Sequence, residues 1–89
     1  MELSELFEQA AADSKNLPSK PTNEILLQLY SLYKQGTVGD INAEAPSNPF
    51  DFVAKAKYSA WEVLKGKSKA TAMQEYVDLV NGLKIVDGD

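Results

Sequence analysis

The chain has 89 residues, a formal net charge of −4, and no Arg, His or Cys. A chain of this length allows one domain, here residues 1–89, because domains rarely fall far below roughly 50 residues. The lack of Cys excludes disulfides, thiolate nucleophiles and Cys-based zinc sites, and the lack of His removes the usual acid–base side chain near neutral pH. These counts disfavour an enzyme, and we expect no cofactor and no metal site.

The acidic balance argues against nucleic acid as a partner. Proteins that bind nucleic acid usually show a basic excess and use bidentate guanidinium contacts, which a chain without Arg cannot make. No apolar run approaches the roughly 18 residues that a membrane span needs. The start of the chain is acidic and amphipathic, unlike a signal peptide, so we expect a cytoplasmic protein with no stable membrane insertion.

The charges are unevenly distributed along the chain. Residues 15–34 carry a net charge of +2 and residues 51–69 one of +3, whereas residues 1–14 and 70–89 carry −4 and −3. Solvated helix faces explain most lysines of this kind. The alternative is that the two basic segments converge on one anion.

Four segments have the periodicity of amphipathic helices, and none alternates apolar and polar residues as a half-buried strand would. Prolines cost about 3 kcal/mol inside a helix, and they cluster at residues 18–21 and 46–49, which marks two breaks. Gly66 marks a third. The predicted helices cover about residues 3–16, 23–38, 50–65 and 68–86. The fold class is therefore all-α, with four helices in one bundle.

The first two predicted helices differ in how much apolar surface they carry. The first has a single apolar stripe through Leu3, Phe7 and Ala10. In the second, apolar residues cover an arc of roughly 220° at about 100° per residue, whereas a core-facing stripe needs only somewhat more than about 100°. This surplus predicts that the second helix is central or that it also meets a ligand.

The last two helices have clear capping signals. Asn48 is the predicted N-cap of the third helix, with Pro49 at the first helical position, and Gly66 ends that helix. Ser68 is the predicted N-cap of the fourth helix. Tyr76 lies on the apolar face of the fourth helix and, on spacing alone, is a buried phenol with a hydrogen-bond partner.

Two runs of residues carry the side chains for ligand binding. Tyr30, Tyr33 and Lys34 lie near one face of the second helix, where two phenols and an ammonium can stack on a flat ring and hold an oxyanion. Lys57 and Trp61 are four residues apart on the third helix, a spacing that allows a cation–π pair or a shared ligand edge. On spacing alone, however, a core aromatic beside a solvated lysine is the favoured interpretation of each run.

These runs belong to longer motifs, which follow one another in order over nearly the whole chain. They are LYSLYKQGTVGD at residues 29–40, AKYSAW at 56–61, LKGKS at 64–68 and AMQEYV at 72–77. In these motifs the chain resembles the acyl-CoA-binding protein family. The resemblance implies a four-helix up-down-down-up bundle that binds medium- and long-chain fatty acyl-CoA esters. It implies an intracellular acyl-CoA carrier and pool former in lipid metabolism, without enzymatic activity, and we expect a monomer.

The resemblance also implies a set of ligand-binding residues. In the family, the residues matching Tyr30, Lys34 and Lys57 engage the 3′-phosphate of the adenosine. The tyrosine matching Tyr33 lies against the adenine, near the small residue matching Ala11. The acyl chain lies along apolar surface near the start of the second helix. The implied acyl-CoA-binding residues are Ala11, Lys15, Leu27, Tyr30, Tyr33, Lys34, Lys57 and Tyr76, with Ile25, Leu26, Val53 and Tyr58 as further candidates.

The chain departs from the family pattern in three places. Tyr58 stands where a second tryptophan is common, and Val53 stands where a basic residue that assists the ligand is common. Residues 45–49 lack the usual arginine–proline–glycine pattern and form a connection about one residue longer. We expect the first two changes to affect affinity and chain-length preference more than the function itself.

Two other classes of protein follow from the residues alone. A helical protein-interaction module would dock a partner peptide on the aromatic and lysine face and have no lipid ligand. An acyl-CoA hydrolase or transferase would need a nucleophile or base, and the chain offers no His or Cys to support one.

Overall fold

The computed structural model describes residues 2–84, and within that range all regular structure is helical. The four α-helices are α1 (Leu3–Asp13), α2 (Asn23–Thr37), α3 (Phe52–Glu62) and α4 (Lys69–Leu83). A single 3₁₀ turn, Ser14–Asn16, follows α1 directly. None of the helices in the described range combines the length and the apolar character that crossing a bilayer requires.

The core lies where α4 packs against both α1 and α2, while α3 packs on α2 from the other side. Each buried large apolar side chain contributes about 1.5–3 kcal/mol relative to an exposed one. The buried core residues are Phe7, Ala10, Leu29, Leu32, Ala72, Tyr76, Val77 and Val80. Helix α3 adds one buried side chain, that of Trp61, so most of its surface is left open.

Helices α1, α2 and α4 approach one another closely at Gly36. A Cβ atom placed on Gly36 would lie 3.2 Å from Cγ of Met73 and 3.3 Å from Cζ of Phe7. A side chain at this position would require the side chains of Met73 and Phe7 to shift by a few tenths of an ångström. The glycine therefore allows the end of α2 to pack directly against the ring of Phe7, close to Tyr33.

The predicted start of the third helix, at residue 50 with Asn48 as its N-cap, is wrong. Helix α3 begins at Phe52, and the carboxylate of Asp51 caps it by accepting a hydrogen bond from the backbone N–H of Ala54 at 3.0 Å. The side chain of Asn48 instead accepts from the backbone N–H of Phe50 at 2.9 Å, two residues on. This local turn is a common alternative use of an Asn side chain, and it competes with helix capping.

Helix ends also differ from the predicted bounds. Helix α3 ends at Glu62 instead of residue 65, because the chain continues in tight turns in which Leu64 N–H donates to the Trp61 carbonyl at 3.0 Å. Gly66, with φ of +96°, then reverses the chain. Ser68 is confirmed as the N-cap of α4, since its hydroxyl accepts from Thr71 N–H at 3.1 Å. Residues 85 and 86 of the predicted fourth helix lie outside the described range.

Candidate functional site

Two clefts border α2, and together they contain most of the residues predicted to bind ligand. The first, here called the aromatic cleft, has a volume of about 260 Å³ and lies between the end of α1, α2 and α4. It is lined by Ala11, Ser14, Lys15, Leu29, Tyr30, Tyr33 and Tyr76. The second, here called the apolar cleft, has a volume of about 370 Å³ and lies between the start of α2 and α3. It is lined by Asn23, Leu26, Leu27, Phe52, Val53, Ala56 and Lys57.

Three aromatic rings from three helices pack together beside the aromatic cleft, and two of them, those of Tyr33 and Tyr76, line it. The ring of Phe7 stacks on that of Tyr33, with centroids 5.3 Å apart and an interplanar angle of 22°. Tyr76 meets Phe7 edge-on at 5.1 Å and Tyr33 at 5.9 Å. Such pairs contribute about 0.5–1.5 kcal/mol each beyond their buried area. Tyr33 is nevertheless 42% exposed, so part of a firmly held ring stays open to a flat ligand.

The phenol of Tyr76 is buried, as its spacing predicted. Its hydrogen-bond partner is Ser14, in the turn that follows α1. The Tyr76 hydroxyl donates to Oγ of Ser14 at 3.2 Å, and the Ser14 hydroxyl donates to the Ala11 carbonyl at 2.7 Å. This chain of hydrogen bonds ties the 3₁₀ turn to α4, and Lys15 follows within that turn. Ser14 was missed by the sequence analysis because nothing local marks a serine at a helix end as the partner of a distant phenol.

Two lysines from different helices converge on one tyrosine. Nζ of Lys34 lies 5.9 Å and Nζ of Lys57 lies 5.2 Å from the ring centroid of Tyr30. Within residues 2–84, neither ammonium has a carboxylate within 4.0 Å, since the ion pairs there join Lys67 to Glu75 and Lys84 to Asp13. Two like charges brought together without a carboxylate form a site that favours an added anion.

The cation–π pair that the spacing of Lys57 and Trp61 allows is not the one observed. Lys57 lies over Tyr30, and the ring of Trp61 instead faces Lys34, whose Nζ is 5.7 Å from its centroid. The reason is that Trp61 is turned inward, where its indole N–H donates to Oε1 of Gln35 at 3.2 Å and to the Gly39 carbonyl at 3.0 Å. Hydrogen bonds from a neighbouring helix thus override the spacing along α3.

A partly buried network of hydrogen bonds holds Gln35 beside this tryptophan. Nε2 of Gln35 donates to Oδ1 of Asp40 at 2.9 Å and to the Lys67 carbonyl at 2.7 Å, and the same Oδ1 accepts from Gly66 N–H at 2.8 Å. The Gly66 N–H, and after it the Gln35 amide and nearby Lys65, hold the pKa of Asp40 below its usual value, outweighing the opposing effect of burial. Asp40 therefore stays ionised at neutral pH.

The apolar cleft accounts for the surplus apolar surface of α2. Leu26 is 39% exposed, and across the cleft Phe52 and Val53 of α3 are 73% and 66% exposed. Leaving such side chains in water has a free-energy cost that an apolar ligand removes. Lys57 also lines this cleft, and because its ammonium reaches Tyr30 it links the two clefts.

Not every candidate residue faces a cleft. Ile25 packs against the core, Tyr58 is half-buried on α3, and Lys34 lies over the rings of Tyr30 and Trp61. None of the three lines the aromatic or the apolar cleft. The sequence analysis did not propose Phe52 and Ala56 as site residues, although both line the apolar cleft. Their spacing of four residues, on the same helix face, is the signal that could have identified them.

A third cleft continues the aromatic cleft along α1. Its volume is about 450 Å³, and it shares Ala11, Lys15 and Tyr33 with the aromatic cleft. Its other lining residues are Ser4, Phe7, Glu8, Ala12, Thr37 and Met73. The three clefts together are lined by residues of all four helices. In the described residues, no cluster of acidic side chains suitable for a metal ion accompanies them.

Comparison with known proteins agrees with this geometry. A family model described as acyl CoA binding protein matches residues 4–80. The chain is 48% identical over 81 residues to the acyl-CoA-binding protein of Saccharomyces cerevisiae, covering 91% of this chain and 92% of that one. It is 49% identical over 77 residues to acyl-CoA-binding protein homolog 1 of Caenorhabditis elegans, covering 86% and 88%. The chain therefore belongs to the acyl-CoA-binding protein family.

Solved structures confirm the predicted all-α bundle of this family. The crystal structure of Oryza sativa acyl-CoA-binding protein 2 matches with a TM-score of 0.86 and 41% identity, covering 92% of this chain and 90% of that one. The crystal structure of the family member from Moniliophthora perniciosa matches with a TM-score of 0.83 and 34% identity, covering 98% and 87%.

Proposed function

We propose that the protein binds medium- and long-chain fatty acyl-CoA esters and serves as a cytoplasmic carrier and pool former for them in lipid metabolism. The observation that carries this proposal is that two clefts of opposite chemistry border one helix and are joined by Lys57. An acyl-CoA ester has the matching division, because one end is an aromatic, multiply charged nucleotide and the other is an alkyl chain.

The aromatic cleft suits the nucleotide. The open part of Tyr33 offers a stacking surface for the adenine, and the methyl side chain of Ala11 leaves room for it beside α1. The ammonium groups of Lys34 and Lys57, which both lie over the Tyr30 ring, suit the 3′-phosphate together with the Tyr30 hydroxyl. Lys15 adds a further cation at the cleft edge.

The apolar cleft suits the alkyl chain. Each buried methylene contributes about 0.8 kcal/mol, so a tail of ordinary length adds more free energy than any single phosphate contact. Leu26, Leu27, Phe52 and Val53 supply the surface that would cover it. Tail length should therefore dominate the differences in affinity within a series of esters.

In this proposal the protein binds the ester without cleaving its thioester bond. Cleavage of a thioester requires an activated nucleophile, and the sequence holds no His or Cys to provide or activate one. A carrier of this kind keeps the reactive thioester intact and its detergent-like tail out of water. The proposed complex contains one copy of the chain and one ligand, without a cofactor, a metal or nucleic acid.

Titration calorimetry with hexadecanoyl-CoA, free CoA and hexadecanoate tests the function. We expect tight binding of the ester and much weaker binding of each half, because each half fills only one cleft. Incubation with hexadecanoyl-CoA should release no more free thiol than a protein-free control. Equal or absent binding of all three compounds would overturn the proposal. The alternative would then be a helical protein-interaction module, which the family membership does not favour.

A further inference from the structure

Trp61 is the buried residue of α3, and it lines neither the aromatic nor the apolar cleft. A tryptophan whose only role was to fill the space between α3 and α2 would need just one partner for its N–H. The indole of Trp61 has two acceptors, Oε1 of Gln35 and the Gly39 carbonyl, at 3.2 and 3.0 Å. Its ring is therefore fixed in orientation as well as in position.

The acceptors of this indole are themselves fixed. Gln35 is fully buried, and its amide nitrogen is shared between Asp40 and the Lys67 carbonyl. Among the described residues, no buried side-chain nitrogen or oxygen lacks a hydrogen-bond partner. The network thus joins the end of α2 to the turn between α3 and α4 and fixes the orientation of the indole, one face of which a cation covers.

The cation at that face is Lys34. Its Nζ lies 5.7 Å from the ring centroid of Trp61 and 5.9 Å from that of Tyr30, so two aromatic rings attract one ammonium. Both distances are within the range of about 6 Å over which a ring attracts a cation. A free lysine side chain loses rotamer entropy when it is immobilised. An ammonium that is already held loses less when a phosphate arrives.

We propose that Trp61 is a positioning residue for the phosphate-binding ammonium of Lys34. The indole, oriented by Gln35 and Gly39, holds that ammonium beside Tyr30 before the ligand binds. The inference rests on the proposed function, because it assumes that Lys34 meets the 3′-phosphate. In this proposal Trp61, a buried residue outside the clefts, contributes to recognition of the 3′-phosphate.

A ligand pair separates this role from a purely structural one. The pair is hexadecanoyl-CoA and its 3′-dephospho analogue, and the quantity measured is the ratio of their affinities. Trp61→Leu should lower the affinity for hexadecanoyl-CoA about threefold to tenfold, the range of one cation–π contact, and leave the dephospho analogue nearly unaffected. Trp61→Phe, which keeps a ring but loses the N–H, should give a smaller change in the ratio.

Two further measurements complete the test. In a Lys34→Ala background, Trp61→Leu should not change the ratio again, because the group that it positions is gone. In the ligand-free protein, the ring-current shift of the Lys34 ε-methylene protons should be smaller in Trp61→Leu than in the wild type. Val63→Ala, at an 81% exposed position just after α3, is the matched control and should change neither quantity.

The outcomes distinguish the two proposals. If the wild type binds both ligands but Trp61→Leu weakens both equally, Trp61 only supports the fold and the positioning role is wrong. The same conclusion follows if the Lys34 proton shifts do not change. If the wild type binds neither ligand, the proposed function itself fails, and the role of Trp61 in phosphate recognition fails with it.

Discussion

At the scale of single residues, the site depends on lysines. A lysine ammonium is a compact point charge that cannot make the bidentate contact of a guanidinium, so strong binding of a phosphate needs more than one. The fold meets this need by bringing Lys34 of α2 and Lys57 of α3 to the same tyrosine ring. Charge that is separated in the sequence is thereby concentrated at one point on the surface.

Removing one of these groups should weaken binding without unfolding the protein. We expect Lys34→Ala to lower the affinity for hexadecanoyl-CoA by roughly tenfold or more, since a hydrogen bond to a charged group is worth about 1.5–3 kcal/mol. Tyr30→Phe should cause a smaller loss. Both side chains are only partly buried, so the thermal midpoint should stay nearly unchanged. Calorimetry and thermal unfolding measure the two effects.

Lys69→Ala is the matched control for Lys34→Ala. It also removes one positive charge, but from the exposed first residue of α4, and it should leave the affinity unaltered. A large loss of folding stability with unchanged affinity in Lys34→Ala or Tyr30→Phe would show that these residues serve the core instead of the ligand.

The depressed pKa of Asp40 predicts a specific acid sensitivity. Because its pKa is lower in the folded protein than the ordinary value of 3.8, ionised Asp40 contributes stability above that value, and the contribution is lost as the pH falls through the folded pKa. Asp40→Ala should therefore destabilise the protein near neutral pH, and the gap to the wild type should narrow below about pH 4. Denaturant unfolding at several pH values measures this. A gap that is constant with pH would contradict it.

At the scale of the helices, sequence periodicity predicted all four elements, and local capping chemistry decided how well their ends were placed. Ser68 stands alone before α4, and its role was predicted correctly. Before α3 there are two residues that could serve as the N-cap, Asn48 and Asp51. Sequence alone does not say which of them caps the helix and which forms a local turn. The choice depends on where α3 packs on α2, which is a property of the whole fold.

The same limit applies to the site. Spacing along one helix identified Tyr30, Tyr33 and Lys34 as neighbours, because i, i+3 and i+4 positions share a face. Spacing could not show that Trp61 faces Lys34, since that pairing is set by a hydrogen bond to Gln35 on another helix. Family resemblance supplied the residues proposed for the nucleotide site, but the clefts themselves became visible only in three dimensions.

The N-cap of α4 gives a prediction at this scale. Ser68→Ala should lower the free energy of unfolding by about 0.5–2 kcal/mol, because the N–H of Thr71 loses its acceptor. Ser68→Asp, which keeps an acceptor and adds a favourable charge at the helix start, should retain the stability. Affinity for hexadecanoyl-CoA should be the same in both variants, since Ser68 lines no cleft. Equal unfolding free energies for Ser68→Ala and the wild type would mean that the cap contributes nothing.

At the scale of the whole molecule, the net charge of −4 does not show that the positive charges are gathered in two segments of the chain. The acidic residues concentrate toward the ends of the chain, and the packing of α3 on α2 joins the two basic segments beside an apolar cleft. The absence of His and Cys is compatible with the proposed carrier, which would hold a reactive ester without cleaving it.

The central claim is that one ligand occupies both clefts at once, and a calorimetric series of acyl-CoA esters from butanoyl to hexadecanoyl tests it most directly. We predict that affinity rises with tail length, by up to about fourfold for each added methylene, until the apolar cleft is filled, and that Phe52→Ser reduces this dependence. Free CoA should lie at the weak end of the series. The same affinity for every ester and for free CoA would contradict the account.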